Sequence, residues 1–386
     1  MICINCLNIS LNRILLLAVG LWPYQQSKLV RFQLILVYAI LTTCIMFQFT
    51  ALLTSKCTSD FLIDVFSTAL LYVMFLIKYS WFHINIEVNI YNKLTDKNEI
   101  TIIKKYGSYA KRYTAGLIFS VVFISPAPVL YLFYPYILDI VLSINESRSY
   151  SPVLVTEYFI DQEKYSYLIL LHIIAALFIG IITVLATGAI FIVYLQYACG
   201  MFQIASYRMK QAITIGNSRK GNLSRNKNLI YKELIRAVDM HREAMRFSDS
   251  FVSRFKVMFS SLIVVGLTSA SLNSFRIFQA LTLGYDIEEF LVPLVSMITY
   301  ISYMFLANYI AQEIMDHNND VFDTVYNIQW YAVSLNVQKM ILFLLQRGTK
   351  AFNLNIAGLF VGSLEGAATL ISTGISYFTV IYSTRI

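Results

Sequence analysis

The chain has 386 residues, of which 58% are hydrophobic and 13% charged, and its mean hydropathy is +0.63. Soluble globular domains carry about 25% charged residues, so this composition excludes a soluble protein and indicates an integral membrane protein. The net charge of +8 calls for no nucleic-acid partner, because a basic excess in a membrane protein collects in its cytoplasmic loops.

In chain order, the N-terminus offers no cleavable signal. Its first apolar run, 14–19, is short and is followed by Pro23 and Lys28. Cys3-x-x-Cys6 has no second pair with metal-site spacing. Of the other cysteines, Cys44, Cys57 and Cys199, only Cys57 is expected in an outer loop, so no outer-face disulfide pair is offered.

A bilayer core takes about 20 apolar residues per helix. Seven stretches qualify: 33–54, 61–83, 114–138, 167–194, 257–284, 290–311 and 353–384. The run 341–345 sits in an amphipathic stretch and is too short to span. The connections before span 1, between spans 2 and 3, between spans 4 and 5, and after span 6 together hold 24 of the 30 bases. The opposite side is acidic, with Asp139, Glu146, Glu157, Asp161, Glu163, Asp286, Glu288 and Glu289. The bias places the N-terminus in the cytoplasm and the C-terminus outside. That is the reverse of a G-protein-coupled receptor. A sequon at Asn145 falls on the outer side, but others at Asn8 and Asn222 fall inside, so this signal is weak. The expected fold is an all-α membrane protein of seven transmembrane helices with a cytoplasmic helical anchor. Its units are 1–311 (six spans and their extensions), 312–352 (anchor) and 353–386 (last span).

The long connection 196–256 shows helical spacing, with Ile235, Val238, Met245 and Phe251 on roughly one face. It reads as solvated cytoplasmic extensions of spans 4 and 5. An enzyme domain would need more chain, and no Asp, His and Cys set has triad or metal spacing. Neither a catalytic site nor a cofactor is expected.

The last span is amphipathic within the membrane. One stripe, Gly362, Gly366, Thr369, Thr373, Ser376, Val380 and Ser383, is small or hydroxylated. The other, Leu364, Ala368, Ile371, Ile375, Phe378 and Tyr382, is apolar and mostly bulky. Small residues four apart suit close helix packing. A water-filled pore suits them too, since hydroxyls solvate a passing ion and an apolar ring at Val380 closes the path by dewetting. Glu365, near the cytoplasmic entrance, is either a partnered structural carboxylate or a group that favours cations. One such helix per chain cannot enclose a channel, so a pore requires an oligomer.

The run VYNIQWYAVSLNVQKMILFLLQRGTKAFNLNIAGLFVGSLEGAATLISTGISYFTVIYS at 325–383 resembles the C-terminal region of insect odorant receptors. LLLAVGLWP (15–23), EYFIDQEKYSYLILLHI (157–173) and LQYACGMFQIASYRM (195–209) do so as well, the last two resembling the hymenopteran branch. The related gustatory receptors end in a pattern whose Gln-Phe pair is replaced here by Ser383-Thr384. The resemblance implies a tuning subunit, in the plasma membrane of a sensory neuron dendrite. It would assemble with the family's co-receptor, as a heterotetramer, into an odorant-gated cation channel. The chain lacks the long second cytoplasmic loop of the co-receptor itself.

The resemblance implies a pore along Glu365, Thr373, Ser376, Val380, Ser383 and Thr384, with the gate position on Val380 and a Thr at 384 where the co-receptor is aliphatic. It implies an anchor that includes Trp330, Tyr331 and the helix 337–346. It places a small volatile ligand in the outer half of the bundle among spans 2, 3, 4 and 6. There the candidates are Phe66, Ala69, Tyr72, Tyr131, Tyr134, Tyr165, Leu168, His172, Met297 and Tyr300, each of which also suits ordinary bundle core. Aromatic and thioether surfaces suit such ligands. About ten heavy atoms at ~0.5 kcal/mol each yield ~5 kcal/mol and a Kd on the order of 0.1 mM, so broad, micromolar-range tuning is expected. A metabotropic receptor would need the N-terminus outside. A secondary transporter would need inverted repeats, and Pro126 and Pro128 in span 3 have no counterpart.

Overall fold

The computed structural model describes residues 10–24, 27–56, 58–85, 94, 96–124, 155–162, 164–218, 223–283, 287–356, 358 and 360–384. The elements in chain order are α1 (Ser10–Ala18), α2 (Lys28–Thr54), α3 (Ser59–Asn85), α4 (Lys97–Ile124), α5 (Ser166–Ser218), α6 (Leu223–Leu283) and α7 (Ile287–Asn327). A 3-10 turn (Trp330–Ala332), α8 (Leu335–Gly348), the hairpin β1 (Asn355–Ile356) and β2 (Phe360–Val361), and α9 (Leu364–Ser383) follow. Among the described residues, α2, α3, α5, α6, α7 and α9 are long and apolar enough to cross a membrane. The expected third span is described only to Ile124, at the end of α4.

Helices α5, α6 and α7 have 53, 61 and 41 residues. At 1.5 Å per residue they run about 80, 90 and 60 Å, against a bilayer core of about 30 Å. The expected extensions of spans 4 and 5 are therefore present, but only α6 keeps an exposed face, with Lys232, Arg236, Asp239, Arg242 and Arg246. Helix α5 packs against α1, α2, α3, α4, α6 and α7, and from Thr183 to Ile213 it is buried on nearly every face. Helix α6 answers with a seam at alternating three and four spacing: Leu234, Ala237, His241, Ala244, Ser248, Phe251, Phe255 and Met258, all buried. Of the expected face, Phe251 lies on this seam, while Ile235, Val238 and Met245 are half-buried beside it. Rings from three helices meet beside the seam, with Phe191 of α5 lying 4.8 Å from Phe255 and 5.7 Å from Phe82 of α3.

The last span starts later than hydropathy suggests. Residues from 353 onward are apolar on average, yet the chain turns back on itself there. Ile356 pairs with Phe360 and Asn355 with Val361. Gly358 takes a φ of +75° at the tip, and its amide donates to Asn355 Oδ1 at 2.8 Å. Only glycine holds that conformation without steric cost. Ser363 then caps α9, its hydroxyl accepting from the Gly366 amide at 2.9 Å.

Candidate pore helix and ligand-binding bundle

Helix α9 rests on α6 and α7 along a narrow face. Ala367 and Leu370 are its buried residues, while Thr373, Gly374, Phe378 and Ile381 are half-buried. Ser271 of α6 donates to the Gly374 carbonyl at 3.2 Å, and Phe278 of α6 meets the Tyr382 ring at 4.9 Å. The two expected stripes do not separate cleanly. From the hydroxylated stripe, Gly362 is buried and Gly366 and Thr373 turn toward the chain, while Thr369, Ser376, Val380 and Ser383 are exposed. Leu364, Ala368, Ile371 and Ile375 of the bulky stripe are exposed too. Among the described residues, most of α9 is left without cover.

The exposed hydroxyls share one habit. Thr369, Ser376, Thr379, Ser383 and Thr384 each donate to a carbonyl three or four residues back, at 2.7–3.0 Å. Their protons are used inside the helix, so their outward oxygens are left as acceptors. Glu365 stands exposed in the first turn, where the helix dipole favours a carboxylate.

The foot of α9 is tied to α7. Asn308, buried, donates to the Met304 carbonyl at 2.9 Å and accepts from the Ser363 amide at 3.2 Å. Gln312 Oε1 accepts from the Leu364 amide at 3.4 Å. Two of the orphan amides at the start of α9 are thereby satisfied by side chains of another helix.

The expected ligand residues do not gather in one group. Phe66 meets the Phe49 ring of α2 at 5.7 Å. Ala69 and Tyr72 are fully buried, and the Tyr72 hydroxyl bonds the Cys44 thiol of α2. Tyr165 and Leu168 are exposed. His172 also faces α2, held between Tyr158 Oη at 2.7 Å and Thr43 Oγ1 at 3.0 Å. Since Thr43 spends its proton on the Ala39 carbonyl, the imidazole donates from Nε2 and accepts from Tyr158 at Nδ1. Burial pushes the Tyr158 phenol up, which keeps that proton in place. Met297 lies by Ser274 of α6, and Tyr300 fills the space left by Gly266 of α6, against Met304, Ala367 and Leu370. Tyr303, one turn further, faces α3 and α5 instead. Tyr131 and Tyr134 lie outside the described residues. A small cleft at the basic end, between Ile103, Tyr197, Met201 and Met240, has about 20 Å³ of water-accessible room and is too small for an odorant. Among the described residues no group of three or more His, Cys, Asp or Glu is placed to hold a metal ion.

The sequence profile of the 7tm odorant receptor family matches residues 48–373. The chain belongs to the odorant receptor family. Its fold is similar to that of the insect olfactory receptor OR5 from Machilis hrabei in complex with eugenol, with a TM-score of 0.78, 14% identity and 97% of each chain covered. It is also similar to a second structure of the insect olfactory receptor OR5 from Machilis hrabei, with a TM-score of 0.74, 14% identity and 97% of each chain covered. No curated protein matches the chain. As a member of this family it is a seven-helix membrane receptor of olfaction and not an enzyme.

In this odorant receptor several polar residues escape a reading by hydropathy. Arg276 of α6 binds Asp64 of α3 at 2.9 Å and donates to Ser67 Oγ at 3.1 Å, inside spans counted as apolar. Nearer the basic end, His317 donates from Nδ1 to the Glu313 carbonyl and accepts from Tyr106 Oη, each at 2.7 Å. Burial holds the Tyr106 phenol well above its ordinary value, so it stays the donor. Tyr113 and Gln196 donate to the two Glu313 carboxylate oxygens at 2.7 and 2.6 Å, joining α4 and α5 to α7. Arg208 of α5 holds Glu99 of α4 through both oxygens. The signal for the intramembrane members was available, since an ionisable residue within a span indicates a partner or a function.

The segment before the hairpin carries two apolar faces. Val337, Ile341 and Leu344 of α8 are buried, whereas Leu335, Leu342 and Phe343 are exposed. Trp330 and Tyr331 are exposed beside them, and Gln338 braces the turn by donating to the Tyr331 and Val333 carbonyls.

Proposed function

We propose that this chain is the odorant-tuning subunit of a hetero-oligomeric cation channel, formed with the family's co-receptor in the plasma membrane of sensory dendrites. The observation that carries the reading is α9. It is a membrane helix covered by its own chain on one narrow side, with hydroxyl oxygens presented outward as acceptors. Lipid offers nothing to such oxygens, whereas a shared pore does, and outward acceptors favour cations. In this reading Thr369, Thr373, Ser376, Ser383 and Thr384 line or flank the conduit. Val380 is its apolar constriction, and Glu365 concentrates cations at the cytoplasmic entrance. The N-terminus is cytoplasmic. Trp330, Tyr331 and the outer face of α8 meet neighbouring subunits.

The odorant is proposed to bind among α3, α4, α5 and α7, toward the end away from the basic loops, with Tyr131 and Tyr134 belonging to its wall. His172, whose two nitrogens are both engaged, is proposed to brace the segment before α5 against α2.

The test is current in cells expressing the chain with and without the co-receptor. Volatile-evoked cation current that needs both chains, and whose gating changes with Val380→Ser, is expected. Current that requires G proteins, or an N-terminal epitope reached in unpermeabilised cells, would overturn the reading.

A further inference from the structure

Lys78 lies on the inner face of α3, in the middle of the bundle. It is buried on membrane-crossing α3, with Nζ 3.5 Å from the centroid of the Tyr303 ring of α7. Among the described residues it has no carboxylate within ion-pair distance. The other cation inside a span, Arg276, is paired with Asp64. An ammonium removed from water without an anion is disfavoured, and an aromatic face relieves only part of that.

The position is framed on both sides. Phe75, Lys78 and Phe82 lie at three and four spacing on one face of α3. Phe75 packs against α5 at Gly180, toward the outer end. Phe82 packs against Phe191 and Phe255, toward the cytoplasm, at 5.7 and 6.3 Å. Gly188 of α5 leaves room for the Tyr303 ring beside Leu117 of α4. Lys78 thus sits where α3, α4, α5 and α7 meet, above an aromatic floor.

We propose that Lys78 is a recognition group for a ligand carboxylate, so that the receptor takes small organic acids whose apolar tail extends toward the outer end of the bundle. The proposal rests on reading the chain as an odorant receptor that binds ligand among these four helices. An acid arriving through lipid is neutral. If it meets a neutral amine, its proton passes from the carboxyl oxygen to Nζ, leaving carboxylate and ammonium as a pair. If Lys78 is already charged, the acid first gives its carboxyl proton to water outside the bundle, and the resulting carboxylate pairs with the ammonium. Either way the result is a carboxylate–ammonium pair, which a matched alcohol cannot form.

The experiment applies hexanoic acid and 1-hexanol at fixed pH to cells expressing the chain with the co-receptor. Wild type is expected to respond to the acid at lower concentration than to the alcohol. Lys78→Met is expected to raise the half-maximal concentration for hexanoic acid at least about tenfold and to leave 1-hexanol within about twofold. Lys78→Arg should keep the acid preference. Equal wild-type sensitivity to the two compounds overturns the proposal. So does an equal change for both in Lys78→Met at unchanged surface level, which would mark a packing role. If Lys78→Met does not reach the surface, thermal unfolding of the purified wild-type protein decides. Hexanoate must raise the midpoint more than 1-hexanol does, and an equal shift overturns the proposal. Absence of current to every volatile would instead count against the channel reading, and the thermal comparison would still test Lys78.

Discussion

The α6 seam and helix α9 are both regular helices with small residues at helical spacing, and they end up in opposite circumstances. The seam puts Ala237, Ala244 and Ser248 against α5 and its neighbours, and every seam residue is buried. Helix α9 has Ala368, Ser372 and Ser376 exposed, and only Ala367 and Leu370 buried. The difference shows where the subunit is complete. The halves of α5, α6 and α7 toward the basic end satisfy one another, whereas among the described residues little covers α9. Stability resides in the first region and, on the proposed function, conduction in the second.

The comparison breaks most visibly at the seam. Phe255→Ala removes a ring shared with Phe82, Phe191 and Phe251. It should cost about 3–5 kcal/mol of stability, read as a large drop in the thermal midpoint of the purified protein and loss of surface expression. Unchanged unfolding would mean that the seam is not the stable core. Asn308→Ala comes next, since it strands the Ser363 amide where α7 holds the foot of α9. The expected loss is about 1–3 kcal/mol, with raised current in the absence of ligand as α9 loosens. Val380→Ser should alter stability by no more than about 0.5 kcal/mol, yet increase unliganded current severalfold. A mutant that unfolds without leaking would place Val380 in packing. Glu365→Gln is the smallest change. It gives up a dipole interaction of about 0.3–1 kcal/mol and should lower cation over anion permeability in reversal-potential measurements, with surface level unaltered.

Hydropathy and loop charge made most of the fold legible. Six of the seven span positions and the continuation of α5 and α6 past the membrane are present among the described residues. The start of α9 was misjudged because an averaged window passes over Asn355, Gly358 and Ser363, whose turn and capping chemistry acts residue by residue. The candidate site was less legible. Periodicity identifies a face but does not say which neighbour it meets. Tyr300 and Tyr303 are equally plausible on the sequence, and one turns to α9 while the other covers Lys78. Counting charges by loop also passed over Lys78, Asp64 and Arg276 inside the spans.

The sequence alone determined that this is a helical membrane protein with a basic side, since hydrophobicity and charge act locally and add along the chain. It also marked the last helix as unusual, because hydroxyls in a span are visible without any partner. The tertiary structure decided which faces are covered. It turned His172 to Tyr158 and Thr43, bound the foot of α9 to Asn308, and left Lys78 on an aromatic ring with no carboxylate in reach among the described residues. Those outcomes depend on residues far apart in the chain meeting at atomic distance, which no local pattern encodes.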